Sequence, residues 1–241
     1  MHALRLRIYR LLNRSWPIAL TFGGRKLWGW KPLSLIKPHE PETALFFEQY
    51  IKPGMRVADV GANVGWYTLM FSDLVGEQGH VYAYEPDPKS FSRLEKGVLF
   101  HQKKNKIHNI ELFNAAVAES EGEIDLYGKL GSGRNSTSHQ GEGELVTRSK
   151  AVLLPNDIDI AKIDVEGGEI SVLRGSMPKA ATVEYSFSIL DREGESGSNY
   201  LDTIRALGYE IYTINSYGEP QLLSGLPSGQ GHVNLFIKLR N

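Results

Sequence analysis

The stretch VADVGANVGWYT, Val57 to Thr68, carries an apolar run into two glycines that bracket an asparagine and then continues in a helical pattern. A strand that feeds a glycine turn and then a helix is the opening unit of an open parallel α/β sheet. Gly61 gives the tight turn and lets a ligand approach the backbone, and Gly65 lets the helix pack closely on the strand. No Gly-Lys-Ser/Thr follows, so the turn is not a loop that cradles a nucleoside triphosphate. The second glycine of a dinucleotide fingerprint is replaced by Asn63, whose side chain would crowd a pyrophosphate. A nucleoside without phosphates remains. Glu85 stands about 20 residues beyond the turn, where a carboxylate accepts hydrogen bonds from ribose hydroxyls. Adenosine without pyrophosphate points to S-adenosylmethionine.

Outward from the turn, the chain alternates in type. MRVADV, HVYAYE, IAKIDV and ATVEYSF read as strands, with IELFNAAV and EIDLYG as shorter ones. WYTLMFSDLV, PKSFSRLEKGVLFHQ, EISVLRG and NYLDTIRALG read as helices. Such alternation predicts a mostly parallel sheet covered on both faces. EIYTI and HVNLFIKL, two consecutive strands, predict an antiparallel member at the sheet edge. In open sheets of this kind ligands lie beyond the carboxyl ends of the strands, which makes strand-end residues the ones that carry function. The main domain is expected to span residues 41–241, opening with the helix PETALFFEQYI, which Lys52-Pro53-Gly54 ends. Residues 1–40 form a separate preface. MHALRLRIYRLLNR sets Leu4, Ile8, Leu11 and Leu12 at helical spacing among Arg5, Arg7, Arg10 and Arg14, an amphipathic helix. Trp16, Trp28 and Trp30 follow among prolines and glycines, as a lid or wrap of irregular or short elements. Packing on the domain or on a second subunit is the expected use of the helix, with an anionic membrane surface as the alternative.

Composition narrows the partners. With 27 Lys+Arg against 28 Asp+Glu in 241 residues there is no bulk attraction for nucleic acid. The absence of cysteine excludes disulfides, thiolate zinc sites and a cysteine nucleophile together. No apolar run approaches the roughly 20 residues needed to cross a bilayer, so the expected setting is cytoplasmic, peripheral to a membrane at most.

The segments VADVGANVGWYTLMFSDLVGEQGHVYAYEPDPKSF, NAAVAESEGEIDLYG and KIDVEGGEISVLRG, in that order, resemble the FkbM family of S-adenosylmethionine-dependent methyltransferases. The resemblance runs from about Val57 to Glu184. It implies a class I methyltransferase fold, a Rossmann-like three-layer sandwich whose mostly parallel seven-stranded sheet has an antiparallel last strand. It also implies methyl transfer, usually to a hydroxyl oxygen. Carried over by position, Asp59, Gly61, Asn63 and Gly65 surround the methionyl part of the cofactor, Glu85 takes the ribose, and Asn114 with Ala115 sits against the adenine.

KIDVEGGE adds the chemistry. Asp164 falls at the end of a buried strand and Glu166 on the turn into a helix. Methyl transfer to oxygen needs the acceptor held about 3 Å from the methyl group and its proton removed. A desolvated carboxylate serves as such a base, and negative charge also suits the sulfonium. Asp164 is therefore read as a cleft residue, for binding the methionyl ammonium or for proton removal. Glu166 faces the cleft or caps the next helix. Glu184, at the end of ATVEYS, matches a glutamate of the family and lies beside Asp164 on one sheet edge, and no spacing specifies a metal. His139, in GSGRNSTSHQGEGE, is a base if its loop reaches the cleft and a surface residue otherwise. Two departures from the family fall on the acceptor side. Only Leu153 to Asp159 stands where a short helix usually precedes the KIDVEG strand, and the strand of Glu184 continues as Tyr185-Ser186 without the histidine often found nearby. The expectation is an O-methyltransferase of a small-molecule or glycosidic hydroxyl. An RNA methyltransferase, a catalytically silent cofactor-binding module and an NAD-dependent oxidoreductase are the alternatives.

Overall fold

The computed structural model describes residues 18–22, 25–29, 40–128, 144–188, 190, 196–228 and 231–240. The amphipathic N-terminal segment, most of the aromatic preface and His139 lie outside them. What is described of the preface is a two-stranded antiparallel hairpin, β1 (Ile18–Phe22) with β2 (Arg25–Gly29).

The central sheet is built as the alternation predicts. Strands β3 (Arg56–Val60), β4 (His80–Tyr84), β5 (Ile110–Phe113), β9 (Ile160–Ile163) and β10 (Ala180–Ser186) are parallel, in the order β5-β4-β3-β9-β10. Helices α1 (Pro41–Tyr50), α2 (Trp66–Val75) and α3 (Pro88–Asn105) supply one face. Their Phe46, Phe47, Met70, Phe71 and Leu94 form one apolar cluster with Val57, Val81 and Ile160. On the other face α4 (Glu169–Gly175) and α5 (Gly197–Ala206) bring Val172, Leu173, Leu201 and Ile204 against Ala58, Val60, Ala161 and Val183. The strands bury both faces, which is why they read as near-continuous apolar runs.

The sheet's far side bears out an antiparallel last strand and corrects its place. The antiparallel strand β13 (His232–Leu239) is not at the edge: it pairs with β10 on one side and β11 (Tyr209–Ile214) on the other. Its buried Leu235, Phe236 and Ile237 are consecutive, so both faces are covered, as an interior strand requires. Beyond the seven strands an eighth, β12 (Pro220–Leu222), pairs with β11 and forms the edge. Its three exposed residues give no burial pattern to read.

The crossover from β5 to β9 is also different. IELFNAAV breaks at Asn114: β5 stays in the main sheet and β6 (Ala115–Val117) enters a second sheet with β7 (Gly122–Gly128) and β8 (Glu144–Val152), order β6-β8-β7. Leu153 to Asp159, between β8 and β9 (Ile160–Ile163), forms a turn and no helix, as the short gap in the sequence suggests. Strand β8, largely LVTRSKAV, went unread because its polar and apolar residues alternate only weakly.

Candidate active site

The turn Gly61 to Gly65 lies at the carboxyl end of β3, as expected. Gly61 has φ +82°, and a Cβ there would overlap the backbone carbonyl of Asp164 at the end of β9. Gly65 has φ +91°, and its Cβ would fall 2.5 Å from Leu94 Cδ1 on α3. Both glycines are demanded by backbone conformation and by close packing within the protein. Asn63 sits between them at φ +50°, a left-handed conformation that asparagine tolerates better than most residues.

Glu85 is the brace of this turn. It is buried, and its two carboxylate oxygens accept the backbone N–H groups of Asn63 and Asp87, each at 2.8 Å. Burial pushes its pKa up to about 7, even though these two N–H groups favour the ionised form. A carboxylate has about four acceptor positions, so two remain for further donors. Asp87 accepts from the N–H groups of Lys89 and Ser90 and caps α3. Asn114 is exposed and donates its side-chain amide to the carbonyls of Glu85 at 2.8 Å and Pro86 at 3.2 Å, tying the end of β5 to the loop after β4. Ala115 beside it is buried at the start of β6.

Across the sheet, register brings charges into one row. Asp59 pairs with Lys162 and Lys162 with Thr182 on adjacent parallel strands, so their side chains share a face. Asp59 is fully buried and accepts a 2.5 Å hydrogen bond from Thr68 of α2. Burial raises its pKa, with Lys162 and Thr68 opposing that rise. The Lys162 ammonium, 5% exposed, donates to Asp164 at 2.7 Å and lies 4.9 Å above the Tyr67 ring. Burial disfavours its charge, but Asp164, Asp59 and Glu40 outweigh that and raise its pKa.

Asp164 keeps 30% of its side-chain surface. Burial would raise its pKa, yet the Lys162 ammonium and a hydrogen bond from Glu184 hold it below the usual carboxylate range. Glu184 carries the proton. Its own burial, then the charges of Asp164, Glu166, Glu169 and Glu40, push it up to about 9. The two residues thus titrate as a unit in which one carboxyl is protonated at neutral pH.

Glu166 lies at φ +57° in the turn between β9 and α4. It does not cap that helix; the residue at the cap position is Gly168, with no side-chain cap. Buried Glu169 instead reaches back to accept the N–H groups of Val165 and Gly167, both at 3.2 Å, and burial pushes its pKa up to about 7. Glu40 precedes α1 at φ +61°, accepts a long hydrogen bond from Tyr67 at 3.5 Å and pairs with His232 at 3.0 Å. Among the described residues, Glu40, Asn63 and Glu166 are three of the four non-glycine residues with positive φ. Backbone strain of this kind gathers where function requires a fixed geometry.

Lys162, Glu169, Glu40 and His232 were missed in the sequence. A lysine inside the buried run IAKIDV was a usable signal, since such a charge needs a partner. Glu169 at the head of EISVLRG was another. His232 and Glu40 meet only because β13 is inserted beside β10, and no local pattern gives that away.

Comparison with known proteins fits this geometry. The Methyltransferase FkbM domain model matches residues 59–211. Protein-L-isoaspartate O-methyltransferase 1 of Arabidopsis thaliana is 29% identical over 103 residues, 42% of this chain and 39% of its own, so the chain spans about two fifths of that relative's length. Methyltransferase FkbM of Methylobacillus flagellatus KT superposes with a TM-score of 0.52 at 15% identity, over 82% of this chain and 47% of its own. A candidate rRNA-methylase of Clostridium thermocellum gives 0.51 at 12% identity, over 84% of this chain and 96% of its own. At such identities these two are likenesses of fold. The family match extends from Asp59 through the glycine turn, Glu85, Asp164 and Glu184, over more than half of the chain, and the chain belongs to the FkbM family of S-adenosylmethionine-dependent methyltransferases.

Proposed function

We propose that the protein transfers the methyl group of S-adenosylmethionine to a hydroxyl of a small-molecule or glycosidic acceptor. The observation that carries this reading is the acidic sheet edge beside the glycine turn, where Asp164, Asp59 and Glu40 act on the buried cation Lys162 and Asp164, Glu166, Glu169 and Glu40 crowd Glu184. An edge of that sign favours a sulfonium and opposes the phosphates of an RNA backbone. A nucleic-acid acceptor would need a basic groove with stacking aromatics.

The cofactor fits the residues present. Gly61 opens the turn where the methionyl group would lie, Glu85 keeps acceptor positions for the ribose, and Asn63 and Gly65 complete the wall. Asn114 and Ala115, at the junction of the two sheets, are the proposed neighbours of the adenine. When bound, the cofactor supplies an electrophilic methyl group. The chain must then orient the acceptor, exclude water and receive a proton.

Of the two roles open to Asp164, the geometry favours binding and positioning. Its carboxylate accepts from both Lys162 and Glu184, and such a weakly basic group is a poor proton acceptor but a good partner for the methionyl ammonium. Glu184, which donates to Asp164, helps to hold that carboxylate in place. His139 is retained as a proposal only, since it lies outside the described residues.

The test is methyl transfer from labelled S-adenosylmethionine to a panel of glycosides, small alcohols, phenols and total RNA. Label is expected in a base-stable ether of a hydroxyl compound. Label confined to RNA would favour the nucleic-acid reading, and cofactor binding with no label anywhere would favour a silent module.

A further inference from the structure

Proton removal is the step that the acidic residues leave without an agent. Asp164 accepts the Lys162 ammonium at 2.7 Å and a hydrogen bond from Glu184, so both carboxyls are already engaged. The antiparallel course of β13 supplies a different group. Because β13 runs opposite to β10, its first residues stand at the carboxyl edge of the parallel strands, and His232 pairs with Ser186 where β10 ends. Register also places Asn234 opposite Glu184, so that His232, two residues earlier on β13, shares the face of Glu184. The His232 side chain is 44% exposed, open to an incoming substrate, and its Nε2 lies 3.0 Å from Oε1 of Glu40, whose side chain is 20% exposed.

We propose that His232, oriented by Glu40, is the general base that takes the proton of the acceptor hydroxyl, a role that rests on the methyl-transfer reading above. The Glu40 carboxylate can only accept, so the proton of a neutral imidazole sits on Nε2 and Nδ1 keeps the lone pair. The acceptor's O–H bond breaks as its oxygen forms a bond to the methyl carbon. The electron pair of the carbon–sulfur bond stays on sulfur, and the proton passes to Nδ1. The imidazolium so formed is flanked by the carboxylate of Glu40, with Asp164 also contributing negative charge, and afterwards gives its proton to water. Glu40 is here a positioning residue. The groups that bear on His232 are Glu40 ahead of α1, Tyr67 of α2 through Glu40, Asp164 just after β9, and Glu184 of β10.

The same side chains invite a second reading, because donor atoms of Glu40, Glu184 and His232 lie within 4.8 Å of one another, close enough to share a divalent cation. Two of the three donors are already spent, Nε2 on Glu40 and Glu184 on Asp164. The pair at 3.0 Å therefore needs no ion to account for it, and the cation becomes an outcome of the test.

The experiment uses the full chain. Histidine-selective 15N NMR, with the His232 signals assigned by their loss in His232→Gln, is expected to show the Nε2–H tautomer. Glu40→Gln should erase that preference, since an amide can donate as well as accept. With an acceptor that the wild-type protein methylates, His232→Ala should cut kcat about a hundredfold or more. S-adenosylhomocysteine affinity should stay within about threefold, and added imidazole should restore part of the rate. A His232 with its proton on Nδ1, or wild-type turnover in His232→Ala, would overturn the assignment. Inactivation by EDTA with recovery on added Mg²⁺ or Mn²⁺ would also overturn it, in favour of three metal ligands. Failure of the wild-type protein to bind S-adenosylhomocysteine strikes the cofactor reading instead, and the NMR result stands apart from it.

Discussion

Gly61→Val is expected to abolish S-adenosylhomocysteine binding, with affinity falling at least a hundredfold. Three effects act together at this position. The backbone at φ +82° is one that a β-branched residue opposes. The new Cβ would overlap the Asp164 carbonyl, so that β3 and β9 would have to part just where Asp164 donates its backbone N–H to Val60 at 3.0 Å. The added methyl groups would also fill the space over the turn. Because the first obstacle is the protein's own backbone, stability should fall too, by about 2–4 kcal/mol, the range of a strained and overpacked buried site. Denaturant unfolding of the variant and calorimetry with S-adenosylhomocysteine check both parts. Wild-type affinity in Gly61→Val would put the cofactor elsewhere.

Lys162→Met should cost about 3–5 kcal/mol of folding stability, the usual penalty for removing one partner of a buried charge pair. Methionine keeps the length and apolar stem of the lysine, which isolates the charge. Without the ammonium, buried Asp59 loses its main favourable charge and Asp164 loses its 2.7 Å partner. Both carboxyls then tend to protonate. Their folded pKa values rise relative to the unfolded chain, so the stability that remains is greatest at low pH and falls as pH rises through the new values. The penalty is therefore expected to be larger at pH 8 than at pH 5. Adding Asp164→Asn to Lys162→Met should recover part of the loss. An unchanged denaturation midpoint in Lys162→Met at pH 8 would mean that the row of charges does not brace the sheet.

How much of this was legible can be seen residue by residue. The turn, its two glycines and Glu85 were readable because each obeys a local rule: a backbone conformation at Gly61 and Gly65, and a fixed interval to Glu85. The parallel half of the sheet was readable for a similar reason, since βαβ units repeat one pattern of burial. Asp164 and Glu184 were readable as neighbours because both end adjacent parallel strands. The interior place of β13 was not, because strand order is set by long-range pairing that no short window contains. The pairing of His232 with Glu40, 192 residues apart along the chain, follows from that order and was equally hidden. Strands β8 and β12 were missed for a plainer cause, their largely exposed and mixed composition. At Glu166 the spacing left a cleft residue and a helix cap equally open; the cap position falls to Gly168, and it is Glu169 that bonds back to Val165 and Gly167.

The most direct measurement is calorimetric titration of S-adenosylhomocysteine into the wild-type protein and Glu85→Gln at pH 6 and pH 8, with NADH as the control. In the proposed site, ribose hydroxyls would donate to the ionised form of Glu85, whose pKa burial pushes up to about 7. Wild-type binding should thus be micromolar and tighter at pH 8 than at pH 6. Glu85→Gln should bind more weakly by about 1.5–3 kcal/mol and lose most of that pH dependence, and NADH should give no heat of binding. Tight NADH binding with no response to S-adenosylhomocysteine, or a Glu85→Gln variant that binds the homocysteine nucleoside as well as wild type at both pH values, would contradict a nucleoside site built on the glycine turn and Glu85.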